Sequence, residues 1–145
     1  MPSLSDYNKP NYRSILVSQE KLYSDLNLTM PIHPNKKDII PLTDIDAVKN
    51  SLKNLVLTNI GEKLFRPTIG GDVTRYLFEN VNVFTAIAIQ QQIKSVINVY
   101  EPRVEDVTVQ VTDNSDSNAY DVTIGFKLAN NILTGEVEFA LERLR

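Results

Sequence analysis

Glu101 and Arg103 stand on either side of Pro102. Proline fixes its own φ and restricts the residue before it, so this carboxylate and guanidinium are held on a stiff corner. Two chemistries fit the triplet. An ionised carboxylate beside an Arg fork makes a geometric ion pair, within the chain or across an interface. A carboxyl kept neutral would instead be a general acid, as in a glycosidase with two carboxylates facing across a cleft. The adjacent cation decides between them, because it favours the charged form, the wrong state for an acid. The ion pair is therefore the stronger reading, although one left in solvent contributes only about 0 to 1 kcal/mol. The chain has 18 acidic residues, so some second carboxylate lies at any chosen spacing and carries no information.

Other routes to chemistry are poorer. The single histidine, His33, lies between Pro31 and Pro34 beside Lys36 and Lys37, and there is no cysteine. That removes the usual nucleophile and base pairs and the usual zinc ligand sets. Gly70-Gly71 lacks the Lys-Ser/Thr that follows a phosphate loop and reads as a turn. Asp113 to Asp121 has calcium-like residues without the EF-hand order and reads as a solvated hairpin connection. No cofactor and no metal are expected.

The bulk properties agree. A chain of 145 residues suits one domain, and 42% hydrophobic with 23% charged residues is an ordinary globular balance. A net charge of −3 offers no basic excess for nucleic acid. No run of about 18 apolar residues is present to cross a bilayer, and the first residues lack the apolar core of a signal peptide.

The elements that must position the corner are legible as periods. Ala86, Ile89, Ile93, Val96, Ile97 and Tyr100 recur at steps of three and four, which predicts an amphipathic helix from Thr85 that Pro102 stops. An earlier helix opens at Thr43, with Asp46 completing a capping-box pattern and Gly61 past its end. Ile45, Val48, Leu52, Leu55 and Val56 form its apolar face. Asp72 caps a short helix bearing Val73, Tyr76 and Leu77. After Arg103 the period becomes two. Val107, Val109 and Val111, then Tyr120, Val122, Ile124, Phe126 and Leu128, then Val137, Phe139 and Leu141 alternate with polar residues. The expected fold is α+β: an antiparallel three-stranded meander with two main helices packed on one face. Residues 1–20 read as an N-terminal arm and 21–145 as one domain. Lys21 to Leu26 suits a short strand, and prolines keep 29–41 irregular.

A meander has two edge strands. Glu136, Glu138 and Glu142 either discourage pairing there or belong to an edge that accepts a strand from another chain; both readings stay open.

KLYSDL near the start, SLKNLVLTNIGEKLFRPTIGGDVTRYLFEN in the middle and INVYEPR at the joint resemble the small baseplate wedge proteins of contractile-tailed phages, the sheath-initiator family. The resemblance runs from about Lys21 to the C-terminus, and Glu101, Pro102 and Arg103 match the family's signature triplet. It implies a fold similar to the conserved domain of the tail sheath protein. It also implies a place in the virion tail baseplate, assembled in the host cytoplasm, where the protein templates the first sheath ring by strand exchange. The implied partners are the tail sheath protein, other wedge proteins and the tail tube, with no nucleic acid and no membrane. The candidate exchange edges are Val107, Val109 and Val111, or Val137, Phe139 and Leu141. The triplet would hold the contact with neighbouring wedge helices. Rival readings are a lysozyme-like peptidoglycan hydrolase using Glu101, and an adaptor that binds wedge proteins alone.

Overall fold

The structure is a computed structural model that describes residues 22–79, 82–114, 119–129 and 133–142. The proposed arm and the Asn130-Asn131 turn lie outside the described residues, as does the middle of the Asp113 to Ala119 turn.

A two-residue strand β1 (Ser24–Asp25) pairs antiparallel with β2 (Leu42–Thr43), and helix α1 (Asp44–Leu57) follows directly. A 3-10 turn (Val73–Phe78) leads to helix α2 (Val83–Tyr100). The chain ends in β3 (Val104–Asn114), β4 (Ala119–Leu128) and β5 (Thr134–Glu142), an antiparallel meander with β4 in the centre. The expected α+β class is therefore the observed one. α2 packs chiefly against β3, and α1 against β5.

One core joins these layers. Val48, Leu52 and Val56 of α1 and Ile89, Ile93 and Ile97 of α2 meet Val109, Val122, Ile124 and Leu141 of the sheet. Every second residue of β4 from Tyr120 to Leu128 is buried, as its alternation requires.

Several local expectations are corrected. The Thr43 side chain makes no capping bond, and the next residue, Asp44, enters the helix in left-handed backbone at φ +48°. Asp44 acts instead: its Oδ1 accepts from the backbone N–H groups of Leu22 and Tyr23 and ties the incoming chain to the helix start. α2 begins two residues before Thr85. Its cap is Asn82, whose Oδ1 accepts from the Thr85 N–H at 2.8 Å. Gly61 does not close α1. The helix ends at Thr58 in extended backbone, and Gly61, at φ +92°, turns the loop beyond it. Tyr100 leaves the core stripe, 37% exposed, and donates its hydroxyl proton to the Thr68 carbonyl at 2.9 Å.

Two features of the sheet escape a reading by period. Register shifts between Glu105 and Thr108, where Asp106 takes left-handed backbone at φ +51°. This bulge brings Val104 and Val107, an odd number of residues apart, against the same core. Gly135 faces Phe126, and a Cβ there would lie 2.6 Å from Phe126 Cζ and 3.1 Å from Ile45 Cγ2. Both neighbours are side-chain ends that can shift, so Gly135→Ala is expected to cost about 1 to 2 kcal/mol, read as a lower urea midpoint at unchanged m.

Candidate functional site: the Glu-Pro-Arg corner and the loop beside it

α2 ends where Pro102 dictates. Glu101 has left helical angles (φ −125°, ψ 77°), while its N–H still donates to the Ile97 carbonyl at 2.9 Å. The turn delivers the Glu101 side chain inward, 4% exposed, and leaves Pro102 on the surface. Arg103 closes on the carboxylate as a fork: Nε donates to Oε1 at 2.6 Å and Nη2 to Oε2 at 2.7 Å. Ser51 of α1 donates its hydroxyl proton to Oε2 at 2.6 Å. The guanidinium carbon lies 5.6 Å from the centre of the Tyr23 ring, and the Arg103 carbonyl accepts from Ala129 N–H at 2.9 Å.

The corner thus ties α1, α2, the chain before β1, and the hairpin end of β4 to one charged pair. Burial pushes the Glu101 carboxyl upward, but the Arg103 fork and the Ser51 hydroxyl outweigh it, and the net shift is down. Arg103 is raised, first by its hydrogen bonds to Glu101. The carboxylate is ionised, and both of its oxygens are already hydrogen-bonded within the chain. That geometry suits a lock between elements and does not suit a proton donor. Sequence placed Glu101 and Arg103 together; Ser51, fifty residues away, had no signal.

The candidate edge residues divide by strand. Val109 and Val137 are buried on the helix side and pair with the same β4 residue, Ile124. Val107, Val111 and Phe139 are partly buried against the core, and Leu141 is buried. Val109, Val137 and Leu141 are closed to solvent, while Val107, Val111 and Phe139 keep part of their side chains exposed; the edges also offer backbone. His33 sits in a turn closed by the antiparallel bridge Ile32↔Ile39, so residues 29–41 are not wholly irregular as expected, and its Nδ1 accepts from the N–H groups of Asn35 and Lys36.

Phe65-Arg66-Pro67 belongs to the stretch that carries the family resemblance, but the exposure of its apolar residues is not read from the sequence. In the loop after α1, Leu64 is 91% exposed and Phe65 is 97% exposed. Two adjacent large apolar residues inside a Gly- and Pro-bounded loop were the available signal. Lys63, Arg66 and Ile69 of this loop also line a cleft that runs to Ser51 and Glu101.

The helix-covered antiparallel meander is a fold shared with subunits of contractile-machine baseplates. It superposes on a chain of the anti-feeding prophage baseplate with a TM-score of 0.60 at 26% identity, covering 75% of this chain and 87% of that one. The family model described as baseplate wedge protein gp25 matches residues 43–132, and the chain belongs to that family. It is 34% identical to the baseplate wedge protein gp25 of Enterobacteria phage T4 over 111 residues, which are 77% of this chain and 83% of that protein. A Geobacter sulfurreducens protein provisionally named a tail lysozyme shares the fold, with a TM-score of 0.61 at 18% identity over 68% of this chain and 89% of that one. The protein is a structural component of the contractile-tail baseplate wedge.

Proposed function

We propose that this wedge protein templates the first ring of the contractile sheath without catalysing a reaction, a sheath subunit adding a strand to the edge of its meander. The observation that carries the reading is the sheet itself. β3 and β5 each pair on one side only among the described residues. A free row of N–H and C=O groups accepts an extended segment, backbone bonds giving affinity and alternate side chains giving register.

Of the two edges, β5 is the better acceptor. It pairs with β4 without a break from Ala119↔Glu142 to Lys127↔Thr134, whereas β3 is bent by its bulge. Glu136, Glu138 and Glu142 are exposed along it and would favour an incoming strand bearing cations. The partners under this reading are the tail sheath protein, other wedge proteins and the tail tube. At the corner, Pro102 and the outer side of Arg103 are the surface a wedge helix would meet, while Glu101 stays inside.

The test is electron microscopy of baseplates assembled with and without the chain, scored for ordered sheath. Sheath that forms normally without it would sink the proposal. Val137→Pro, once shown folded by circular dichroism, is expected to cut sheathed particles by about tenfold or more, with Val109→Pro closer to the parent. Normal sheathing with both edges blocked would favour the adaptor. Peptidoglycan cleavage that is lost in Glu101→Gln would favour the hydrolase.

A further inference from the structure

We propose that the loop between α1 and the 3-10 turn is the chain's anchor on its wedge neighbour. In this proposal Leu64 and Phe65 insert into an apolar pocket of another baseplate protein, whose rim carries carboxylates for Lys63 and Arg66. The inference rests on membership of the baseplate and is separate from sheath initiation.

Leu64 and Phe65 are 91% and 97% exposed, so their side chains contribute almost nothing to this fold. The loop that carries them is nevertheless held at many points. Gly61 N–H donates to the Pro67 carbonyl at 2.8 Å, Arg66 N–H to Lys63 at 3.2 Å, and Ile69 N–H to Arg66 at 3.1 Å. Tyr100 of α2 holds the Thr68 carbonyl from outside. Exposed apolar side chains on a braced loop are what a preorganised interface anchor requires, because little ordering entropy is left to lose on binding.

Charge then defines the partner. Glu62 is turned into the loop, its carboxylate accepting from Asn59 N–H and Nδ2, both at 2.9 Å. Lys63 and Arg66 flank the apolar pair and form no ion pair among the described residues. On a chain of net charge −3 they make a local cationic collar, which selects an acidic rim. Other apolar side chains are exposed, among them Leu28, Met30 and Ile32 before α1 and Val83 and Phe84 at the start of α2, but none of these is as fully exposed as Leu64 and Phe65. An anionic membrane would also suit cations around an aromatic, but it repels a chain of this net charge.

The experiment uses the full chain and baseplates assembled without it, with no sheath protein present. Leu64→Ser/Phe65→Ser should keep the parent's melting temperature and weaken binding to those baseplates about tenfold or more. Lys63→Glu/Arg66→Glu should slow association and remove its inhibition by salt. A change below about tenfold in the serine variant overturns the proposal. So does flotation of the parent, but not of that variant, with phosphatidylserine vesicles. Binding and sheath ordering are scored separately, so loss of the anchor and loss of sheath initiation give different results.

Discussion

Arg103→Ala is expected to destabilise the fold by about 3 kcal/mol or more, before any effect on assembly is read. From the triplet alone Arg103 is an interface residue whose loss should impair assembly more than folding. The bidentate fork onto a carboxylate that is 4% exposed adds a folding cost of its own, which has to be measured before assembly is scored. Removing the guanidinium leaves Glu101 with the Ser51 hydroxyl, and the buried charge must then be protonated or expose itself to water. Urea denaturation checks the size of the loss. The control is Glu101→Gln/Arg103→Ala, which removes the charge together with its partner and should recover part of the lost stability. No recovery would mean that Arg103 acts by packing on Tyr23 and not through the pair.

The pH dependence follows from the same geometry. Glu101 is lowered from the ordinary value of 4.5, so the folded state binds its proton less readily than the unfolded chain. Its contribution is complete above about pH 4.5 and is lost as pH falls from there through the lowered folded value. The parent should therefore lose stability on acidification in that range more steeply than Glu101→Gln.

What could be read in advance followed from regular burial. α2 and the three strands each bury one side, so period alone assigned their inward residues, and the core agrees almost residue for residue. Where backbone departs from regularity the period goes silent. The bulge at 105–108 puts Val104 and Val107 on one side, which strict alternation forbids. Thr43 and Asn82 both precede helices and both have capping chemistry. The left-handed backbone of Asp44 after Thr43, which residue type did not announce, accompanies the missing cap, whereas Asn82 does bond the Thr85 N–H. At the corner, neighbours in sequence revealed the ion pair, but Ser51 enters from α1 and is visible only after folding. The outward direction of Leu64 and Phe65 was hidden for a related reason: their loop marks them as apolar residues outside a regular element, but without a period it does not say which way they face.

The glycine pair shows how the loop and the core are one structure. Gly71 is buried, its N–H donates to Leu55 of α1 at 3.0 Å, and its carbonyl accepts from Gln92 Nε2 of α2 at 3.2 Å. A Cβ on Gly71 would run into the Val56 carbonyl oxygen and sit 2.9 Å from Val56 Cα. On Gly70, at φ +153°, it would lie 2.5 Å from the Thr58 oxygen. These neighbours are backbone of α1 and its end, so no rotamer change relieves the clash. The Gly70-Gly71 turn is thus a close backbone contact and not a phosphate loop. Gly71→Ala is expected to cost about 3 kcal/mol, and hydrogen exchange should show residues 58–71 losing protection first. Gly61→Ala, with open space around its Cβ and only an unfavourable φ of +92°, should cost about 1 kcal/mol. Under the proposed anchor, Gly71→Ala should also weaken attachment to baseplates at temperatures where the rest of the domain stays folded, since Gly71 joins the loop to α1. Equal costs for the two glycine variants would show that backbone conformation, and not the close approach to α1, sets the loop in place.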